Sequence, residues 1–149
     1  MPDYHLAQIN IAQMKAPLHH PTMASFVAQI VEINTLADNS PGFVWRLQDQ
    51  YGDATSIRPF GSTILVNMSV WESPRHLMDY VYKSVHKNVM QDRKQWFDAM
   101  EESHMALWWV EAGHRPTVDE GKTRLEHLFS NGETPLAFTF REVFPKPEG

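Results

Sequence analysis

Residues Ile64–Arg75 read ILVNMSVWESPR, and the fold turns on how this stretch divides. Ile64, Val66, Met68 and Val70 alternate with Leu65, Asn67, Ser69 and Trp71, the period of two that sends neighbouring side chains to opposite faces of a strand. Both sets are mostly apolar, so a strand over Thr63–Trp71 is expected at the centre of its sheet, covered on both sides. Glu72-Ser73-Pro74 then switches the chain to a helix: Ser73 can cap it, and the fixed φ of Pro74 suits the first helical position. From Arg75 to about Met100 the apolar residues keep the helical period, with a break near Lys87-Asn88.

Working outward, Leu6–Met14 (LAQINIAQM) alternates as a strand and is ended by Pro17 and Pro21. From Thr22, Met23, Phe26, Val27, Ile30, Ile33 and Ala37 mark a helix that Ser40-Pro41-Gly42 stops. Phe43–Gln48 (FVWRLQ) reads as a strand with Phe43, Trp45 and Leu47 on one face and Val44, Arg46 and Gln48 on the other. The turn-rich Gln50–Ser62 follows as a loop long enough to cover a pocket mouth. Met105–Glu111 (MALWWVE) is a strand, and Thr117 with Glu120 forms a capping box for a helix that Asn131-Gly132 closes. Ala137–Val143 (AFTFREV) is expected to be the last strand, before a frayed tail over Pro145–Gly149.

The predicted order, β-α-β-β-α-β-α-β, makes an α+β domain spanning residues 1–149. Its first six elements match the ferredoxin-like split β-α-β unit, and a helix and a strand are added at the C-terminus. An antiparallel sheet with its helices on one side leaves the other face bare, and a second copy is the expected cover. A homodimer closing two sheets into a barrel follows.

The chain also resembles the uncharacterised bacterial family numbered 3291 among domains of unknown function, in the dimeric α/β-barrel superfamily. The resemblance lies in Ala7-Gln8-Ile9-Asn10, Ser40–Leu47, Leu65–Ser73, Trp96-Phe97, Ala106–Val110 and Ala112–Thr117. It implies the barrel fold and the homodimer. Relatives in that superfamily include cofactor-independent monooxygenases of antibiotic biosynthesis, haem enzymes and stress-response barrels, so the resemblance selects no single activity. It carries no catalytic residue over to this chain.

Composition narrows the function. With 149 residues the chain can bury a sizeable core without a metal or disulfide. Thirteen Lys and Arg are scattered among eighteen Asp and Glu, for a net charge of −5, which argues against a nucleic-acid partner. The absence of Cys excludes disulfides, thiolate metal sites and Cys nucleophiles. No apolar run approaches the roughly 20 residues of a membrane span, and Met1–His5 lacks a basic stretch leading into an apolar one. A soluble cytoplasmic protein without membrane contact is expected. Eight His show no tight metal-ligand spacing, and no metal site is expected.

Five Trp, eight Phe and eight Met suit either a ligand cavity or a dense core. On the second helix Tyr82, His86, Val89, Arg93 and Trp96 share one stripe, with Met90 at its border. An imidazole there can act as a general base and a guanidinium can steady a carboxylate or enolate oxygen, so His86 and Arg93 are the candidate catalytic pair. The competing reading makes His86 a hydrogen-bonded core residue and Arg93 a solvated or ion-paired border residue. Trp45, Tyr82, Met90, Trp96 and Trp108 are the candidate cavity walls, although aromatic core explains Trp108 and Trp109 as well. His114 and Arg115 precede a helix N-terminus suited to an anion, while a simple turn accounts for the same residues. Gln8, Asn10, Arg46, Gln48, Asn67 and Ser69 put polar groups on three strands, as the lining of a barrel interior or as a dimer interface.

These readings point to a protein binding a small, hydrophobic and partly polar molecule, acting as a cofactor-independent monooxygenase or isomerase-type enzyme. The alternatives are a haem-binding protein, with His86 or His114 as the proximal ligand, and a non-enzymatic ligand-binding or stress-response barrel.

Overall fold

The computed structural model describes residues 3–50, 52–83, 96–98 and 104–147. Strand β1 (Tyr4–Met14) is the hub. One of its edges pairs with β3 (Ile64–Trp71) from Leu6↔Trp71 to Gln13↔Ile64. The other edge is shared by β5 (Met105–Glu111), along Tyr4–Asn10, and by the short β4 (Phe97–Asp98), at Gln13 and Met14. Strand β2 (Phe43–Arg46) completes the sheet beside β3, and every pairing is antiparallel. This is the ferredoxin-like α+β arrangement that the element order predicts.

The register sorts side chains onto two faces. Leu6, Gln8, Asn10 and Ala12 lie beside Trp71, Ser69, Asn67 and Leu65, while Ala7, Ile9 and Ile11 lie beside Val70, Met68 and Val66. The first face receives α1 (Ala24–Asp38) and α2 (Pro74–Lys83), and we call it the helix-pair face. At one end Leu6, Trp71 and Leu107 pack with Ala37 of α1 and with Leu77 and Tyr80 of α2. At the other end Met14, Leu65 and Trp96 pack with Met23 and Phe26.

The second face is covered within the chain. Helix α3 (Val118–Asn131) lays Leu125 and Leu128 on Ala7, Ile9, Met68, Ala106 and Trp108, and Leu47, Ile57 and Phe60 extend the cover. Burying two leucines of this kind contributes about 3–6 kcal/mol. Gly121 brings α3 close, since a Cβ there would lie 2.5 Å from Met68 Sδ. The bare face that motivated the expected homodimer is therefore occupied: Ile9, Met68 and Trp108 are wholly buried in one chain.

Three local expectations need correction. The second helix does not reach Met100, because Phe97–Asp98 is a strand: β5 leaves the end of β1 unpaired beyond Asn10, and that free edge takes Phe97 and Asp98. Tertiary pairing thus overrides helical propensity there. The expected strand Ala137–Val143 is reduced to isolated bridges, Phe138 with Leu107 and Ala137 with Thr134. Thr139 then accepts from the backbone N–H of Arg141, a turn that steers the chain off the sheet edge. In β2 a register shift between Phe43 and Trp45 breaks the expected alternation. Phe43 packs in the Trp71 cluster on the helix-pair face, whereas Trp45 and Leu47 join the α3 side, the result of an extra residue in the strand.

Candidate functional site

The helix-pair face has apolar ends and a polar middle. Gln8 Nε2 donates to Asn67 Oδ1 at 2.7 Å and to Ser69 Oγ at 2.8 Å, and Asn10 Nδ2 donates to Gln8 Oε1 at 3.0 Å. Trp71 Nε1 donates to the same Ser69 Oγ at 2.8 Å. The strip exists because period-two alternation puts Gln8 and Asn10 on β1 opposite Ser69 and Asn67 on β3. Gln8 and Ser69 are only 3% and 6% exposed, yet Asn67, in the middle of a central strand, is exposed. The face is open at that point.

Helix α1 explains the opening. It meets the sheet at its ends, through Phe26 and Ala37, and Ala37 is the one buried residue of the helix. At one end Phe26 lies against Trp96, with ring centroids 5.3 Å apart, and Trp96 Nε1 donates to Ser25 Oγ at 2.9 Å. At the other end Trp71 stacks on Tyr80 at 5.1 Å, and Arg46 pairs with Asp38 at 2.7 Å. Burial, and after it the nearby Asp38 carboxylate, pushes the Tyr80 phenol up to about 12. The result is a neutral amide and hydroxyl floor between two aromatic walls.

The described residues among those singled out from the sequence do not share one space. Trp96 is wholly buried in the wall beside Phe26. Trp108 lies on the opposite face of the sheet, its indole donating to Glu120 Oε2 at 2.9 Å, and half-buried Trp45 is on that side too. His114 Nε2 lies 2.7 Å from Glu120 Oε1, so Glu120 ties the imidazole to Trp108 at the start of α3, next to exposed Arg115. Thr117 caps that helix, accepting from the Glu120 backbone N–H at 3.0 Å. Tyr82 belongs to α2 by its backbone, and its side chain lies outside the description. His86, Met90 and Arg93 lie outside the described residues.

Of the polar residues read as a barrel lining or a dimer interface, Gln8, Asn10, Asn67 and Ser69 lie on the helix side and hydrogen-bond to one another there. Trp71 and Tyr80, which sequence reasoning did not single out, frame the same strip. The signal available was parity, since Trp71 shares the face of Asn67 and Ser69. Among the described residues no group of three or more His, Asp or Glu is placed to hold a metal ion. Nor is any described helix long and apolar enough to cross a membrane.

The family model described as domain of unknown function DUF3291 matches residues 5–149. The chain belongs to the DUF3291 family. Three solved structures are similar to this DUF3291 protein. A protein of unknown function from Nitrosomonas europaea is 11% identical, with a TM-score of 0.49 over 78% of this chain and 97% of its own. A proposed antibiotic biosynthesis monooxygenase from Chloroflexus aurantiacus is 14% identical, with a TM-score of 0.47 over 76% of this chain and 98% of its own. A second proposed antibiotic biosynthesis monooxygenase, from Nitrosomonas europaea, is 13% identical, with a TM-score of 0.44 over 76% and 92%. No curated protein matches the chain.

Proposed function

We propose that this DUF3291 protein binds a small, largely apolar molecule on the helix-pair face of its sheet, with a polar group of that molecule set on the Gln8, Asn10, Asn67 and Ser69 strip. The observation that carries the reading is the exposed Asn67 in the centre of an otherwise buried strand. A structural amide network would be closed over by packing, whereas this one opens between aromatic walls, the composition of a small-molecule pocket. The chemistry we assign to the bound molecule is proton transfer by an enzyme of the cofactor-independent monooxygenase or isomerase type. In it His86 takes the proton and Arg93 holds developing negative charge, on the strength of their shared helical stripe.

Two measurements test this. Native mass spectrometry of the purified protein should reveal a co-purifying organic molecule, and Asn67→Leu should release it from a chain that still folds, at a cost of about 1–3 kcal/mol for the Gln8 N–H left without its acceptor. Retention of the molecule by Asn67→Leu would remove the strip from the binding site, and a Soret band would replace the cofactor-free reading with a haem protein. For the chemical step, His86→Asn should lower turnover of an identified substrate by about two to four orders of magnitude. Unchanged turnover per folded molecule would refute the proton-transfer role.

A further inference from the structure

We infer that the strip presents hydrogen-bond donors, and that its ligand therefore carries a carbonyl-type acceptor, a ketone or the corresponding enolate. This rests on the binding reading above and names the chemical class it takes. The argument follows each proton. Trp71 is 1% exposed, and its Nε1, which can only donate, hydrogen-bonds to Ser69 Oγ. Gln8 Nε2 donates to that same oxygen. Both lone pairs of the hydroxyl are then taken, and its own O–H must point elsewhere. No acceptor for it is present among the described residues, although Ser69 is 6% exposed.

Asn67 completes the pattern. Its Oδ1 is taken by Gln8, which leaves the N–H groups of Nδ2 to face the opening. Asn10 fixes the polarity from behind by donating to Gln8 Oε1, so that Gln8 turns its donor end toward β3. The two groups left over, Ser69 O–H and Asn67 N–H, lie two residues apart on one face of β3. A single oxygen with two lone pairs can accept from both. Donors held in place before the ligand arrives favour an oxygen on which negative charge develops, which is why an enolate fits as well as a ketone.

A reversed Gln8 side chain would invert the prediction: Ser69 and Asn67 would donate to Gln8 Oε1, and Asn67 Oδ1 would face the opening and select a donor. Three bicyclic probes of one shape separate the cases, namely indanone as acceptor, indole as donor and indane as neither. Each is titrated into the full-length, isotope-labelled protein while the Ser69 backbone and Asn67 side-chain amide signals are followed. Indanone should bind at least about tenfold more tightly than indole or indane, a difference of about 1.4 kcal/mol. Asn67→Asp keeps an acceptor for Gln8 Nε2 and replaces the outward N–H groups by a carboxylate oxygen. It should fold normally and reverse the preference toward indole. Tighter binding of indole by the unaltered chain would overturn the donor assignment and leave the binding site standing. If none of the three probes moves the Ser69 and Asn67 signals, the binding reading falls, and the ligand class with it.

Discussion

Gly121 offers the most direct test of how closely α3 lies on the sheet. A Cβ at this position would meet Met68 Sδ at 2.5 Å and Ile9 Cδ1 at 3.0 Å, and both side chains are wholly buried. Neither can swing into solvent, so the added atom has to be absorbed by the core. Overpacking of this kind costs about 1–3 kcal/mol, while replacing Gly by Ala in a helix returns about 1 kcal/mol. Gly121→Ala is therefore expected to destabilise by about 0–2 kcal/mol. Gly121→Val, bulkier and with less propensity to recover, should cost about 2–3 kcal/mol. Urea denaturation reads the change as a lower midpoint with an unchanged slope. In a Met68→Ala background the space is available, so Gly121→Ala should become stabilising, a coupling of about 1–2 kcal/mol between the two sites. Should Gly121→Ala alone raise stability by the full helix-propensity increment, α3 does not approach the sheet as described.

Ser69→Ala removes the acceptor of the buried Trp71 indole and should lower stability by about 1–3 kcal/mol in urea, independently of any ligand. Thr117→Ala removes the α3 cap and should cost about 1 kcal/mol, measured the same way. Tyr80 ionises at about 12 in the folded chain and near its ordinary 10.0 when unfolded. Its contribution is thus complete below pH 10 and is lost as pH rises toward 12, a decline that should be shallower in Tyr80→Phe. An absorbance titration should show a late-ionising phenol that this variant lacks. Because α3 fills the sheet face, light scattering at micromolar concentration should return the 17.2 kDa mass of one chain; twice that mass would require another interface or a displaced α3.

The strands were legible where alternation is strong. Leu6–Met14 and Thr63–Trp71 announce themselves through period two, and their pairing then decides which residues share a face. The capping pair Thr117 and Glu120 located α3 for the same local reason. What alternation could not reveal was an extra residue in β2, which turned Phe43 away from Trp45, or the free end of β1 that captured Phe97 and Asp98. Both depend on partners distant in sequence. The amide strip was visible as polar residues on matching positions, but its face was not, because parity alone does not say which side α1 and α2 take. The same ambiguity placed Trp108 and Trp96 in one imagined cavity, when strand parity and the sheet put them on opposite sides.

The central place of β1 also bears on how the chain reaches this structure. Strand β1 is synthesised before its partners and pairs with β3 and β5, both far along the sequence from it. Contacts so distant in sequence close large loops before they return any stabilisation, and they slow folding relative to domains built from neighbouring segments. Until Met105–Glu111 has left the ribosome, the apolar faces of Tyr4–Met14 lack much of their cover, and its outer edge can recruit strands from other chains. Folding in the cell should accordingly depend on chaperones, and refolding in vitro should lose yield as concentration rises.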